Sequence, residues 1–280
     1  MVAGPTASGD LLTEIAPLVI SAPFGNYVQH PGTTPTLGTY TWQRRGGRIA
    51  AMGRAALTVR YYRRLGAWVN RIGLRNPGIH SLDHQIPGAR PIAESIVSVH
   101  GFSPEDWFQL LSVTAAARPA AIELNISCPN VGEISWPPEL FSEAVATGIP
   151  IIVKIPPVRY AQLATDAFSG GVRHIHAVNT LPVRGGGMSG APLKPIGLSV
   201  VQRLRDEFGP ELGIIAGGGI RTAADVHEYA QAGADRFAIG TLAMRPSAPF
   251  SEKFLAEVRR AASDALSGST GRVPTPLPRD

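Results

Sequence analysis

Short apolar runs rich in valine and isoleucine recur along the chain, and stretches with apolar residues three and four apart lie between the later ones. Runs of this length suit strands buried on both faces, and the wider spacing suits amphipathic helices. Eight strands are predicted, over residues 18–22, 36–40, 95–100, 121–125, 151–154, 174–179, 213–217 and 236–239. Helices are predicted over 104–117, with Ser103 as N-cap, and over 159–169, 196–208, 222–232 and 251–266. In the 196–208 segment Ile196, Val200, Val201, Leu204 and Phe208 form one stripe, which should pack on a sheet. Eight such units over about 250 residues is the size of a (βα)8 TIM barrel, whereas an open doubly wound sheet usually has fewer strands.

The barrel is expected to occupy residues 1–280 as a single domain, with an insertion at about 46–91 and a polar tail at 267–280. The insertion is too long for an ordinary strand-to-helix connection, and a helix is predicted in it near 54–65. With 44% hydrophobic and 17% charged residues among 280, the chain can build a substantial core. No apolar run reaches the roughly 18 residues a membrane span needs, so no membrane partner is expected. The 26 basic and 21 acidic residues leave a formal charge of +5, carried by scattered arginines with only Lys154, Lys194 and Lys253 as lysines. That distribution is weak support for nucleic acid, and no nucleic-acid partner is expected. The one cysteine, Cys128, has no internal disulfide partner, and residues 1–10 lack a signal core, so a cytoplasmic setting is expected.

In a barrel of this kind chemistry collects at the C-terminal ends of strands. The fourth predicted strand ends in Asn125-Ile126-Ser127-Cys128-Pro129-Asn130, which sets carboxamides, a hydroxyl and a thiol within six residues. The same residues also make an ordinary turn, and the sequence leaves both readings open. Lys154 ends the fifth strand, either aimed across the barrel mouth or snorkelling at an edge. Asn179 and Thr180 end the sixth. His174 and His176 share the opposite face from Asn179 and are expected to face the helices. Gly185 to Gly190 reads as a flexible glycine loop. Glycines after the last two strands, Gly217-Gly218-Gly219 and Gly240, with a helix starting near Thr222, mark the usual phosphate position of the fold. No metal-ligand spacing is present, and none is expected to bind. Together these features describe a phosphate-anchored flavin mononucleotide across a barrel mouth, with Cys128 as a base.

The segments Leu124 to Val131, Val153 to Pro157, Val178-Asn179-Thr180, Gly187 to Gly190 with Lys194-Pro195, Ile214 to Ile220 and Ile239-Gly240-Thr241 resemble the FMN-dependent dihydroorotate dehydrogenases. The resemblance is to the cytosolic type whose base is cysteine, and it runs in order from about Trp68 to Met244. It implies oxidation of dihydroorotate to orotate in pyrimidine biosynthesis, with Cys128 taking the C5 proton while hydride passes from C6 to the flavin. It further implies that Asn70, Asn125, Asn130, Asn179 and Thr180 meet the pyrimidine, with the backbone of Gly73 and Leu74 at its carboxylate. Ser21, Ala22, Lys154, Ser189, Gly190, Gly218, Gly219, Gly240 and Thr241 would hold the FMN. A homodimer is plausible by resemblance only, and the electron acceptor or partner subunit is not specified.

The first quarter departs from the family pattern. Ser21-Ala22-Pro23 stands where the family has Ala-Ser-Gly, and the proline removes an amide donor. The family also ends its second strand in a lysine that grips the substrate carboxylate; the equivalent position counts to Leu37, and no lysine precedes Lys154. Arg44, Arg45 and Arg48 are the cations nearest in sequence. Two other readings follow: a flavin enzyme for another dihydropyrimidine or cyclic amide lacking the carboxylate, and a non-catalytic or phosphate-ligand-binding barrel.

Overall fold

The computed structural model describes residues 11–46, 53–55, 57–83, 88–127 and 136–269. The described strands, in chain order, are β1 (Leu18–Ile20), β2 (Thr33–Tyr40), β3 (Arg60–Tyr62), β4 (Ala67–Asn70), β5 (Ile96–Val99) and β6 (Ala121–Asn125). They continue with β7 (Ile151–Ile155), β8 (His174–Ala177), β9 (Leu181–Val183), β10 (Gly186–Gly190), β11 (Gly213–Gly217) and β12 (Arg236–Ile239). Eight of them close into a parallel barrel in the order β1-β12-β11-β8-β7-β6-β5-β2, with β2 returning to β1. These are the eight predicted strands, and the fold is a TIM barrel.

Alternation along each strand divides the core in two. Leu18, Ile20, Val97, Val99, Ile122, Leu124, Val153, Ile175, Phe237 and Ile239 belong to the larger cluster, shared with the surrounding helices. Their neighbours Val19, Ile96, Ala121, Ile152, Ile215 and Ala238 form a smaller cluster inside the barrel. Leu11 and Ile15, from and just after the helix Leu11–Glu14, join that inner group and close the barrel beneath β1. Burial of both strand faces is why these segments read as continuous apolar runs.

The predicted helices are present with shifted ends: Pro104–Ala116, Tyr160–Ser169, Leu193–Phe208, Ala223–Gln231 and Ala256–Ser269. Ser103 caps the first, its Oγ accepting from the Asp106 amide at 3.2 Å. The stripe on Leu193–Phe208 buries Val200, Val201 and Leu204, as expected, while Ile196 and Phe208 are only partly covered. The last helix runs three residues into the segment expected to be tail, and residues 270–280 lie outside the described ones. The helix Leu140–Ala146 was not anticipated; it buries Leu140, Phe141 and Ala144.

The insertion corrects two expectations. The helix expected near 54–65 is helical only in residues 53–55 and 57–58, after which β3 begins. β-branched and aromatic residues at 59–62 favour a strand, and Tyr61 packs on Trp68 of β4 with ring centroids 4.6 Å apart. The glycine loop at 185–190 is largely strand β10. It joins an antiparallel sheet in the order β3-β4-β10-β9, with Gly187 opposite Asn70. Glycine is required there by closeness, since a Cβ at Gly186 would lie 2.0 Å from the Asn70 carbonyl oxygen.

Candidate active site

Above the apolar layer the barrel interior turns polar. Ser98 of β5, Glu123 of β6, Lys154 of β7 and His176 of β8 are all buried there. Glu123 is the hub: Oε1 accepts from Ser98 Oγ at 2.7 Å and lies 3.6 Å from Lys154 Nζ, while Oε2 lies 2.7 Å from His176 Nδ1. Burial alone would push the Glu123 carboxyl up; the Lys154 ammonium, His176 and the Ser98 hydroxyl outweigh it and hold it at about 2. The same burial, with Lys154 nearby, lowers His176 from its ordinary value, against the pull of Glu123. A neutral imidazole donating Nδ1–H to the carboxylate satisfies both observations. The expectation that His176 faces the helices is therefore wrong: His176 stands in register with Lys154 and faces inward with it, and β8 ends at Ala177, so strand alternation does not extend to Asn179.

From this buried group a chain of side chains climbs to the mouth. Thr39 and Ser98 hydroxyls are 3.0 Å apart, and Asn125 Nδ2 donates to Thr39 Oγ1 at 2.9 Å. Asn125 Oδ1 accepts from Ser127 Oγ at 3.1 Å and from Asn179 Nδ2 at 3.4 Å. Asn179 Nδ2 also donates to Ser127 Oγ at 2.9 Å. His100 bonds the Asn125 carbonyl through Nδ1 at 2.7 Å, and its ring meets Phe102 and Trp107 edge-to-face. The two carboxamides are thus fixed by the network, Asn125 buried and Asn179 partly exposed to the cavity.

The turn after β4 is braced separately. Asn76, buried, donates Nδ2–H to the Leu74 carbonyl at 2.8 Å and to Thr41 Oγ1 at 3.0 Å, and its Oδ1 accepts from the Gly78 amide at 2.8 Å. Leu74 sits at φ 50°, a conformation that costs a non-glycine residue about 1 kcal/mol and persists only where surroundings enforce it. On the opposite wall the Tyr229 hydroxyl, from the helix Ala223–Gln231, donates to the Gly218 carbonyl at 2.7 Å and lies 3.2 Å from that of Gly217.

These parts enclose one cavity of about 640 Å³ at the C-terminal mouth of the barrel. Asn70, Gly73, Leu74, Asn125, Asn179 and Thr180 line it, and so do Ser21, Ala22, Lys154, Ser189 and Gly190. Gly218, Gly219, Gly240 and Thr241 complete that set, and His176, Thr39 and Tyr40 join without having been anticipated. Cys128 and Asn130 lie outside the described residues; the chain reaches that segment directly from buried Ser127. The phosphate expectation needs one change. The amides leading into the helix after Thr222 are already used: Asp225 Oδ2 accepts from Arg221 and Thr222 at 2.8 and 2.9 Å, Glu257 Oε1 from Ala223 at 3.3 Å, and Thr222 Oγ1 from Asp225 at 3.3 Å. Anion donors on that wall would come from the glycine turns themselves. A Cβ on Gly240 would meet only Phe24, at 3.9 Å, so this backbone faces open space. Lys194 pairs with Asp225 at 2.6 Å and Glu228 at 2.7 Å, joining two helices.

Nothing on β2 replaces the absent lysine. Leu37 is fully buried in the outer cluster, and the cavity wall from β2 is Gly38, Thr39 and Tyr40. Among the described lining residues the fixed cations are Lys154, Arg75 and Arg245. Arg44 and Arg45 line a neighbouring cavity, and Arg48 is outside the described residues. No group of three or more His, Cys, Asp or Glu residues is placed to hold a metal among the described residues. No described helix is long and apolar enough to cross a membrane.

Comparison with known proteins agrees with this geometry. A dihydroorotate dehydrogenase B (NAD(+)) catalytic subunit of Oceanobacillus iheyensis is 32% identical over 201 residues, covering 62% of this chain and 66% of that one. Dihydroorotate dehydrogenase A (fumarate) of Limosilactobacillus reuteri is 35% identical over 204 residues, with the same coverage. The match thus spans just under two thirds of these relatives' length. The dihydroorotate dehydrogenase B (NAD(+)) catalytic subunit of Thermotoga maritima is 34% identical over 218 residues, 69% of this chain and 79% of that one. Ligand-free dihydroorotate dehydrogenase from Eimeria tenella shares the fold with a TM-score of 0.68 at 17% identity, over 90% of this chain and 85% of that one. The family described as dihydroorotate dehydrogenase matches residues 53–260, and the chain belongs to that family.

Proposed function

We propose that the protein oxidises dihydroorotate to orotate, with FMN bound across the barrel mouth. The observation that supports this most is convergence: carboxamides, one buried ammonium and two glycine turns from separate strands line a single cavity. Its volume of about 640 Å³ suits a flavin with a small ring on its face, within the roughly 300–1,000 Å³ of cofactor sites. Open backbone at Gly240 and the braced turn at Gly218 suit a phosphate; Lys154 suits the electron-rich edge of the ring system. Bound there, FMN supplies the two-electron acceptor for the substrate C–H bond.

The chain's own groups supply the rest. Asn125 and Asn179, locked to each other and to Ser127, offer amide donors and acceptors to a pyrimidine. Asn70 adds a third, held by its Oδ1 accepting from the Ile72 amide at 3.3 Å. Cys128, one residue beyond Ser127, takes the proton leaving C5. Arg75 is the rim cation on the Asn70–Asn76 turn and meets the substrate carboxylate.

A second reading, a dihydropyrimidine without the carboxylate, is favoured by one observation: β2 brings Thr39 and Tyr40, and no cation, to the cavity. The purified protein should be yellow. Anaerobic bleaching by dihydroorotate and not by dihydrouracil supports the first reading, and the reverse supports the second. A colourless protein that takes up no added FMN would sink both.

A further inference from the structure

Beside the main cavity lies another of about 680 Å³, and five guanidinium groups line it: Arg44, Arg45, Arg54, Arg71 and Arg75. The rest of its described lining is apolar or glycine, with no carboxylate and no aromatic ring. Arg90, Arg205 and Arg259 elsewhere in the protein have acidic partners. Among the described residues, none of the five has a carboxylate within 4.0 Å.

All five are exposed, and two have side-chain contacts that orient them. The Arg45 guanidinium lies 4.3 Å over the Phe102 ring, and Arg54 Nε donates to the Arg71 carbonyl at 3.2 Å. Arg71 and Arg75 flank the turn that Asn76 braces. Like charges gathered in a concave surface focus a positive potential and attract counter-ions. Guanidinium forks match the oxygens of carboxylate and phosphate groups in pairs. Four of them, leaving Arg75 to the main cavity, still outnumber the charge of any monoanion, and no aromatic ring among the described lining offers a platform for a nucleobase.

We propose that this cavity is a second anion site, taking one small multivalent oxyanion of the polycarboxylate or phosphate class, separate from the site assigned to FMN and dihydroorotate. It stands whether or not the main cavity takes dihydroorotate. Arg44, Arg45, Arg54 and Arg71 line this cavity alone, while Ile72, Gly73 and Arg75 line both.

The test is calorimetry on the protein as purified with its cofactor, titrated with inorganic pyrophosphate and with citrate at constant ionic strength. Saturable binding of one ion per chain is expected, at least tenfold weaker in the Arg44→Gln/Arg71→Gln double variant at unchanged melting temperature. Tighter binding of pyrophosphate assigns the phosphate class, and tighter binding of citrate the carboxylate class. Binding no stronger than to sodium chloride, or unaltered in the double variant, overturns the proposal. So does one-for-one displacement by orotate, which would mean a single anion site. Failure of the dihydroorotate reading shows separately, as an absence of orotate binding with anion binding intact.

Discussion

His176 Nδ1 lies 2.7 Å from Glu123 Oε2, and the carboxylate's other oxygen lies 3.6 Å from Lys154 Nζ, so one buried anion fixes both groups that the cavity floor presents upward. Glu123→Gln should remove the counter-charge from a buried ammonium. Breaking a buried pair this way costs about 3–5 kcal/mol. Urea denaturation should show that loss, with weaker retention of FMN on gel filtration. Wild-type stability in this variant would mean that water, not Glu123, compensates Lys154.

Acid should weaken the fold in two stages. Burial lowers His176, aided by Lys154 and opposed by Glu123; burial also lowers His100, with Arg45 adding to it and the Asn125 carbonyl and Asp106 opposing. A folded value below the unfolded one, about 6.5, means the native state binds fewer protons, so this stability is complete above that pH and lost as pH falls through it. Glu123 is depressed from 4.5 to about 2, so its contribution holds above 4.5 and is lost on descent towards 2. Melting temperature should therefore drop between pH 7 and 5, and His176→Gln should flatten that slope. A rise on acidification would contradict the buried neutral imidazoles.

Cys128→Ala should remain yellow and lose reduction by dihydroorotate. A positioned base contributes about 10²- to 10⁴-fold, and stopped-flow flavin bleaching should slow by that order. Bleaching at the wild-type rate would assign the proton to another group.

Arg75→Ala should raise the KM for dihydroorotate with little change in the flavin spectrum. Arg75 is exposed at the rim, where an ion pair is worth about 1 kcal/mol or less, so kcat/KM should fall by no more than roughly fivefold and the effect should shrink with added salt. Equal loss for a substrate without the carboxylate would show that Arg75 acts on the turn and not on the charge.

Tyr229→Phe should loosen the glycine turn at 217–218. Removing one hydrogen bond to buried carbonyls costs about 1–2 kcal/mol, so the FMN dissociation constant should rise roughly tenfold by fluorescence titration. An unchanged constant would mean that the turn holds its shape without the hydroxyl.

The barrel was legible because its strands are buried on both faces and the chain writes that as unbroken apolar runs such as Ile151-Ile152-Val153. Site residues at strand ends followed from the same register, which is why Asn125, Lys154, Asn179 and the late glycines share one cavity. The second sheet was hidden, because β10 is mostly glycine and its pairing with β4 depends on residues far away in sequence. His176 was misplaced for a related reason: alternation was carried back from Asn179, beyond the end of β8 at Ala177, where the regular two-residue period no longer applies. Tyr229 carried no signal, since an aromatic on a helix face reads as ordinary core until its hydroxyl partners are seen.

Asn70 and Gly187 meet across a ladder although 117 residues separate them. During synthesis at about 5–20 residues per second, β4 waits roughly 6 to 23 s for its partner strand to emerge. Until then its edge is open to any other strand. The wall that Asn70, Ser189 and Gly190 give the cavity is therefore complete only once residues 186–190 have been made and paired.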